Sequence, residues 1–166
     1  MSFPFITHRD DLLASSTTAK YGLGEIRRIP GILADSTTDT TVAAGRRLAK
    51  YIQNTGATTL AAGNICSSVD SKFNEVVIAP TSTIKARAVG VALYSIAQNS
   101  YGWVQIEGPG EIKAGAAGIT ANTPVMVSGA AAGVGVDSTD PDATIAVSIE
   151  AGTSGQLTSC FLQFQH

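Results

Sequence analysis

The stretch Gly102-Trp103-Val104-Gln105-Ile106-Glu107 decides the fold class that this sequence predicts. Aliphatic residues alternate in it with polar or aromatic ones, which is the pattern of a β-strand with one buried face. The turn formers Gln98-Asn99-Ser100-Tyr101 and Gly108-Pro109-Gly110 predict that the strand ends on either side. Trp103 is the only tryptophan of the chain. Because an indole buries about 150–250 Å² when well packed, we expect it to anchor a core or a subunit contact.

The composition limits the class of protein. The chain has 166 residues, of which 44% are hydrophobic and only 14% are charged. The length fits one domain or two small ones, and the hydrophobic content excludes wholesale disorder. Since charged residues usually make up about a quarter of a soluble domain, the surface must be largely neutral. This favours a subunit buried in an assembly over a solitary β protein rich in small residues.

The charge and the apolar runs exclude several partners. The formal net charge is -2, which gives no electrostatic case for binding nucleic acid or an anionic membrane. No apolar run is long enough to cross a bilayer, and Phe3-Pro4-Phe5-Ile6 is too short for a signal peptide. We therefore expect a reducing cytosol as the site of synthesis, with Cys66 and Cys160 as free thiols in apolar or small-residue surroundings.

The arginines include two adjacent pairs, Arg27-Arg28 and Arg46-Arg47. Neighbouring residues of a strand face opposite ways, so a pair does not make a basic patch by itself. The sequence favours edge or surface positions for both pairs, and the alternative is an ionic contact with an acidic partner.

The chain divides into an extended N-terminal arm, residues 1–20, and a single all-β domain, residues 21–166. The arm carries Phe3 and Phe5, which we interpret as anchors into a neighbouring subunit or partner, with a frayed terminus as the alternative.

Local patterns predict several elements of the β domain. Leu23–Ile29 is predicted as a short strand that Pro30-Gly31 ends. The segment 42–54 suits either a short helix or a strand, and the turn that follows it favours the strand. The alanine-rich segment 130–133 is predicted as a loop because glycines flank it.

The sequence also contains an internal repeat. Three pairs of segments match in order, with an offset of roughly 53 to 59 residues: Thr59–Cys66 with Gly118–Val125, Val89–Ala92 with Val147–Glu150, and Tyr101–Ile106 with Ser154–Leu162. Two copies are too few for a solenoid. We predict a pseudo-duplicated β-sandwich or small β-barrel with related halves at about 51–108 and 109–166.

The candidate catalytic and metal-binding residues do not form a convincing site. His8 lies in the arm and His166 at the last residue, which are poor places to hold a general base. The acidic loop Asp137–Asp142 lacks the spacing of a calcium loop and is predicted to be a solvated turn. Gly22–Arg27 begins like a dinucleotide fingerprint but precedes a strand rather than a helix. We therefore predict a non-enzymatic protein without metal or cofactor. The alternative is an enzyme whose site is built from loops at a subunit interface of an oligomer.

The stretches Tyr51–Asn64, Val89–Leu93 and Tyr101–Gly108 together resemble the capsid decoration proteins, also called cement or head-fibre proteins, of tailed bacteriophages. In that family an element of small residues and Ala-Gly precedes a Gly-Val-Ala strand and a Tyr-Gly-Trp-Val-Gln strand. The resemblance extends from Tyr51 to Leu162 and carries no catalytic signature. It implies a β-rich, β-tulip-like domain on the virion.

The resemblance also implies a function. Such a protein is made in the host cytoplasm, binds the outer surface of the expanded capsid as a homotrimer, and stabilises it by bridging subunits of the major capsid protein. As capsid or subunit contacts we name the arm residues, both arginine pairs and the tryptophan: Phe3, Phe5, Arg9, Arg27, Arg28, Arg46, Arg47 and Trp103. The alternative is a virion-displayed carbohydrate-binding β module that uses Tyr21, Tyr94 and Tyr101.

Overall fold

The computed structural model describes residues 14–29, 46–69, 72–81, 83 and 85–164, and the regular structure in these ranges is almost entirely β. The described strands are β1 (Ile26–Arg28), β2 (Leu48–Asn54), β3 (Ile65–Val69), β4 (Lys72–Ile78), β5 (Ala88–Ala92), β6 (Tyr101–Lys113), β7 (Pro124–Val127), β8 (Gly135–Asp137), β9 (Ala146–Ser148) and β10 (Leu157–Gln163). Short 3-10 helices span Lys85–Arg87 and Pro141–Ala143. The all-β prediction is confirmed.

Five of the strands close into a barrel. The ring runs β2, β4, β3, β5 and β6, and it closes because β6 pairs with β2 as well as with β5. β2 lies parallel to β4, whereas the other neighbours in the ring are antiparallel. Of the two predicted architectures, the small barrel is therefore the one that forms. β1 pairs with the first residues of β2.

β6 is longer than the sequence pattern predicts. It continues through Gly108-Pro109-Gly110 to Lys113, so the prediction that the strand ends at Gly108 is wrong. Gly108 has a φ of +89°, which a glycine adopts without steric cost. β6 pairs with β10 in continuous register through Gly108, Pro109 and Gly110, and its register with β2 shifts before them, opposite Ile106. The Gly-Pro-Gly sequence therefore continues the strand and is not a turn after it.

The remaining strands form a second ring of the same topology. The C-terminal half of β6 pairs with β10, and β9, β7 and β8 follow in that order. A parallel bridge between Ala114 and Gly135 closes this ring, and the Gly115 N–H donates to the Gly135 carbonyl at 2.8 Å. This bridge is parallel and corresponds to the parallel pairing of β2 with β4 in the first barrel. The two rings therefore have the same order and directions of strands, so the fold is duplicated within the chain. β6 crosses the predicted division at 108/109, and the boundaries of the halves stay predictions.

The duplication holds at the level of residue pairs. Directly opposed residues on three neighbouring strands form the first-barrel row (Ile65, Val91 and Gln105) and the second-barrel row (Pro124, Val147 and Phe161). The counterpart of Val91 is thus Val147, two residues earlier than the predicted match of Val89–Ala92 with Val147–Glu150. The match of Thr59–Cys66 with Gly118–Val125 agrees with the register, since Ile65 and Pro124 are counterparts.

The remaining local predictions are met closely. The strand alternative for 42–54 is correct for Leu48–Asn54, β1 occupies part of the predicted strand 23–29, and 130–133 is a loop. Most of the predicted arm lies outside the described residues. Its last part includes Ser16, which pairs with Tyr101 in an isolated antiparallel bridge. Within the described ranges, no helix has the length and apolar content needed to span a bilayer.

Buried polar side chains hold the barrel ends together. Asn54 is fully buried, and its Nδ2 donates to the carbonyls of Thr58 and Ile96 at 2.9 and 3.0 Å. Gln105 is 2% exposed, and its Nε2 donates to the Pro109 carbonyl at 2.6 Å, four residues along its own strand. Both buried amides are thus hydrogen-bonded to the main chain, as buried polar groups must be.

Candidate interaction surface

The structure describes only part of the predicted contact set. Phe3, Phe5 and Arg9 lie outside the described residues. Trp103 is fully buried in the core of the chain. The four arginines lie on or just before β1 and β2, so the described contact candidates all belong to the first barrel.

Trp103 is the centre of an aromatic cluster. Its ring centroid lies 5.0 Å from that of Tyr51 and 5.2 Å from that of Tyr21. Tyr51 opposes Trp103 on the neighbouring strand, and Tyr21 covers both rings from the segment that leads into β1. The Trp103 N–H of the backbone donates to the Tyr94 hydroxyl at 3.1 Å. These contacts place the indole where it stabilises the fold.

The pair Arg27-Arg28 contributes to the same cluster. The Arg27 guanidinium lies 4.4 Å from the centroid of the Tyr21 ring, and one of its nitrogens lies 2.6 Å from a Glu25 carboxylate oxygen. A cation–π contact and an ion pair therefore hold Arg27 against its own chain. Arg28 is half-buried on the edge strand β1.

The pair Arg46-Arg47 divides between the surface and the interior. The Arg46 side chain is 50% exposed, with its Nε 3.5 Å from a Glu107 carboxylate oxygen. Arg47 is only 8% exposed. The expectation that adjacent arginines face opposite ways fits both residues, and Arg46 is the exposed member of the pair.

An apolar face on the second barrel was not predicted from the sequence. In the described chain, six large hydrophobic side chains are exposed, and four of them lie on β10 or on β9 and the residue after it: Val147, Ile149, Leu157 and Phe161. Phe161 directly opposes Val147, and the Ile149 N–H donates to the Ser159 carbonyl at 2.8 Å. Residues two apart on a strand share a face, so these side chains lie together. We call this surface the β9–β10 face.

A shallow cleft adjoins the β9–β10 face. Its volume is about 310 Å³, and it is lined by Lys85, Pro124, Ser138, Thr139, Pro141, Thr144 and Gln163. Pro124 belongs to the second-barrel row and Gln163 is the next outward residue of β10 after Phe161, so the cleft and the face are continuous. An exposed apolar patch beside a cleft is typical of a protein-binding surface.

Comparison with known proteins adds a likeness of fold. No family model matches the chain, and no curated protein matches its sequence. Among solved structures, the chain is similar to the N base of the head fibre gp8.5 of bacteriophage phi29, with a TM-score of 0.54 and 14% identity. The match covers 71% of this chain and 99% of that one. The fold resembles that of a phage head-fibre base.

The acidic residues of the second barrel serve its turns. In the ranges that the structure describes, no three His, Cys, Asp or Glu side chains group closely enough to hold a metal ion. The predicted acidic loop is a capped turn: Asp140 caps the helix Pro141–Ala143 and accepts the Asp142 N–H at 2.9 Å. Asp137 instead accepts bonds from Thr120, whose N–H and hydroxyl donate at 2.8 and 2.5 Å.

Asp137 gives the fold a testable pH dependence. The Thr120 hydroxyl beside it, with further bonds from the Thr120 N–H and the Thr123 hydroxyl, lowers the pKa of the carboxyl from its ordinary value. A carboxyl whose folded pKa is lowered contributes stability above its unfolded pKa and loses it as the pH falls through the folded pKa. We expect Asp137→Asn to cost about 1 kcal/mol at pH 7, or about 2–4 °C in Tm.

The measurement is the Tm of both proteins from neutral pH down into the acid range below the folded pKa. The difference should shrink as the pH falls below about 4 and vanish at the acid end. A difference that stays constant over the whole range would contradict the assignment to Asp137.

Both cysteines are buried and should be chemically silent. Burial raises the pKa of Cys66 and of Cys160 to about 12, and the negative charge of Glu150 adds to the effect at Cys160. Since only the thiolate reacts, we expect titration with a disulfide reagent at pH 8 to be about a thousandfold slower than for a free thiol. Both thiols should react at once in denaturant. Rapid reaction of either in the folded protein would contradict this burial.

The signal for the β9–β10 face is present in the sequence but ambiguous. In Leu157–Gln163, apolar residues occupy both strand faces: Cys160 and Leu162 are buried, whereas Leu157 and Phe161 are exposed. A strand with two apolar faces predicts burial on both sides. The pattern by itself does not say that the described chain leaves one side uncovered.

Proposed function

We propose that this chain is a structural virion protein that binds the outer surface of an expanded phage capsid as a homotrimer and stabilises it by bridging major capsid protein subunits. The likeness of its fold to the phi29 head-fibre base, over 99% of that chain, carries the proposal. The fold is a scaffold for contacts, and the chain would work through its surface and its copy number.

The surface chemistry supports this proposal. Only 14% of the residues are charged, and the exposed β9–β10 face is built from valine, isoleucine, leucine and phenylalanine. Such a surface suits burial in an assembly better than permanent exposure to water.

Trimer formation explains how modest contacts would hold a shell together. Once one copy of the trimer is bound, the contacts of the other two become intramolecular, so that their effective concentration rises to the millimolar range. Three weak contacts with different capsid subunits then act as one strong clamp. The clamp stabilises the expanded shell because it binds only the arrangement in which the three sites are correctly spaced.

Among the described arginines, Arg46 is the best candidate for a capsid contact. Its side chain is half exposed, whereas Arg47 is buried and Arg27 is held by Tyr21 and Glu25. We assign Arg9, Phe3 and Phe5 the same role on the chemistry of the arm. Arg28, on the edge strand, would be covered when the arm region binds.

The carbohydrate-binding alternative is not favoured by any described feature. Sugar binding needs an exposed aromatic platform. Tyr94 is 9% exposed and accepts a bond from the backbone of Trp103, and Tyr21 packs on Tyr51 and Trp103. Tyr101 stacks with Tyr51 at 6.2 Å. These tyrosines contribute to the fold and leave no platform among themselves.

The proposal is tested by the heat stability of shells. Expanded shells of the cognate phage, assembled without this protein, are heated alone and with purified protein, and their rupture temperature is measured by calorimetry. We expect the wild-type protein to raise the rupture temperature by several degrees. An unchanged rupture temperature at saturating protein would refute the proposed function.

A charge-reversal variant tests the contact at Arg46. We expect Arg46→Glu to weaken binding to shells about tenfold, because reversing a contact charge weakens each of three linked sites. Arg87→Glu is the matched control, since Arg87 is exposed on a 3-10 helix outside the contact set. Equal affinities of the two variants, measured by co-sedimentation, would remove Arg46 from the interface.

A further inference from the structure

The two barrels present equivalent rows of residues to very different surroundings. In the first-barrel row Ile65, Val91 and Gln105 are 0%, 2% and 2% exposed. In the second-barrel row Val147 and Phe161 are 36% and 45% exposed, and Pro124 is exposed as well. The same face of the same fold is therefore buried in one half and open in the other.

The second barrel packs against the Ile65 end of the first-barrel row. The connection between β7 and β8 makes this contact: the Ile65 N–H donates to the Gly133 carbonyl at 2.9 Å, and Asn64 Nδ2 donates to the same oxygen at 3.2 Å. The Gly133 N–H donates to the Ala79 carbonyl at 2.8 Å. Segment 131–134 thus completes the edge of the first barrel.

The first barrel carries an equivalent segment that covers no such row in the described chain. The register that pairs Val127 with Gly135 pairs Ser68 with Val76, so segment 72–75 is the counterpart of 131–134. It includes Phe73, which at 52% is the most exposed large hydrophobic side chain of the described residues. Phe73 on the first barrel and the second-barrel row are therefore both exposed, and no described residue covers them.

We propose that segment 72–75 of one copy docks on the second-barrel row of a neighbouring copy, in the place that segment 131–134 takes beside Ile65 within the chain. Pro124, the counterpart of Ile65, has no N–H to donate, so side chains make this contact, with Phe73 at its centre. The contact is head to tail, and such a contact closes into a ring when the rotation from copy to copy closes. The number of copies, three, comes from the proposed function. The new inference is the contact between neighbouring copies, which we call the seam. A trimer would then be a ring of six related barrels. Within each chain β6 joins two barrels, and between chains the proposed contact joins the next two.

The two surfaces complement each other in shape. Phe73 is a single projecting ring, and the cleft of about 310 Å³ beside Pro124 has room for one aromatic side chain. Charge is balanced on both sides: Lys72 pairs with Glu75 at 3.1 Å within the segment, and Lys85 lines the cleft next to the exposed Asp140 and Asp142. The contact therefore depends on the burial of apolar side chains.

Charge insertion on either surface tests the seam. The molar mass of wild-type protein and of the variants Phe73→Glu, Phe161→Glu and Gln98→Glu is measured by light scattering. Gln98 is the control, because it is exposed in the connection between β5 and β6 of the first barrel and belongs to neither surface. We expect trimers for wild type and control and a threefold lower mass for the other two, with Tm values within a few degrees of wild type. A trimer of Phe161→Glu, or a monomeric wild type, overturns the proposal.

Cross-linking tests the head-to-tail geometry. Chains with Phe73→Cys are mixed with chains carrying Phe161→Cys under mild oxidation, where the native thiols stay silent because they are buried. We expect a disulfide-linked pair of the two different chains, at least tenfold more than either variant forms alone or than Phe73→Cys forms with Gln98→Cys. Preferential pairing of Phe161→Cys with itself would mean a face-to-face contact and would overturn the proposal.

These results separate the seam from the function. Shells that gain heat stability from wild-type and Phe161→Glu protein alike, without the cross-link, would reject the seam and leave the capsid role standing. A trimer with the expected cross-link that ignores shells would reject the capsid role and leave the seam standing.

Discussion

Trp103→Ala is expected to lower the free energy of unfolding by about 3–5 kcal/mol. The indole is fully buried, and its removal would leave a cavity between Tyr51 and Tyr21, with centroids 5.0 and 5.2 Å away. Because a domain of this size has about 5–15 kcal/mol of stability in total, the variant would lose a large part of it. The cluster also ties the segment before β1 to the barrel, so that segment should loosen with it.

Urea unfolding followed by far-ultraviolet circular dichroism measures the effect, since the variant has no tryptophan to report by fluorescence. Trp103→Phe is the control. It keeps an aromatic ring between the two tyrosines and should lose less than half as much. If the alanine and phenylalanine variants unfold at the wild-type midpoint, Trp103 does not anchor the core.

Gly108→Ala is expected to be nearly as damaging, at about 3 kcal/mol or more. Gly108 has a φ of +89°, and a Cβ at this position would collide with the backbone carbonyl oxygen of Arg46. The variant would have to move β6 away from the residues that precede β2, near the point where β6 passes from one barrel to the other. Relief by a side-chain movement is not available, because the atom in the way belongs to the main chain.

Gly155→Ala separates backbone strain from collision. Gly155 has a φ of +79°, but a Cβ at this position would meet nothing within 4 Å, so its alanine variant meets strain alone, about 1 kcal/mol. The difference between the urea midpoints of Gly108→Ala and Gly155→Ala measures the cost of the collision with Arg46, since both variants share the backbone strain. Equal midpoints would show that the close approach of Gly108 to Arg46 tolerates a side chain.

The sequence was sufficient for the fold class and for the match of Thr59–Cys66 with Gly118–Val125, and the reason is local. The alternation in 102–107 marks strand faces, and that match reflects residues at the same place in two barrels. Alternation says nothing about partners, so the parallel pairing of β2 with β4 was not foreseen. The strand end predicted at Gly108-Pro109-Gly110 was wrong because turn-forming residues can also continue a strand where the backbone of another segment approaches closely, as that of Arg46 does at Gly108.

The candidate surface was harder to predict than the core. That adjacent arginines face opposite ways follows from strand geometry, and Arg46 and Arg47 show it. The exposure of Phe161 depends on which half of the chain covers which row, and that depends on the path of β6 beyond Gly108. Val91 and Val147 are the same residue type in the same strand environment, yet only one is buried. No local pattern distinguishes them.

Binding to capsid shells tests the central claim most directly. Expanded and unexpanded shells of the cognate phage, both assembled without this protein, are titrated with it, and the bound copies are counted from sedimented material. The account predicts saturable binding to expanded shells, with a copy number at saturation that is a multiple of three, and little binding to unexpanded shells. Failure to bind expanded shells, or equal binding to both forms, would contradict it.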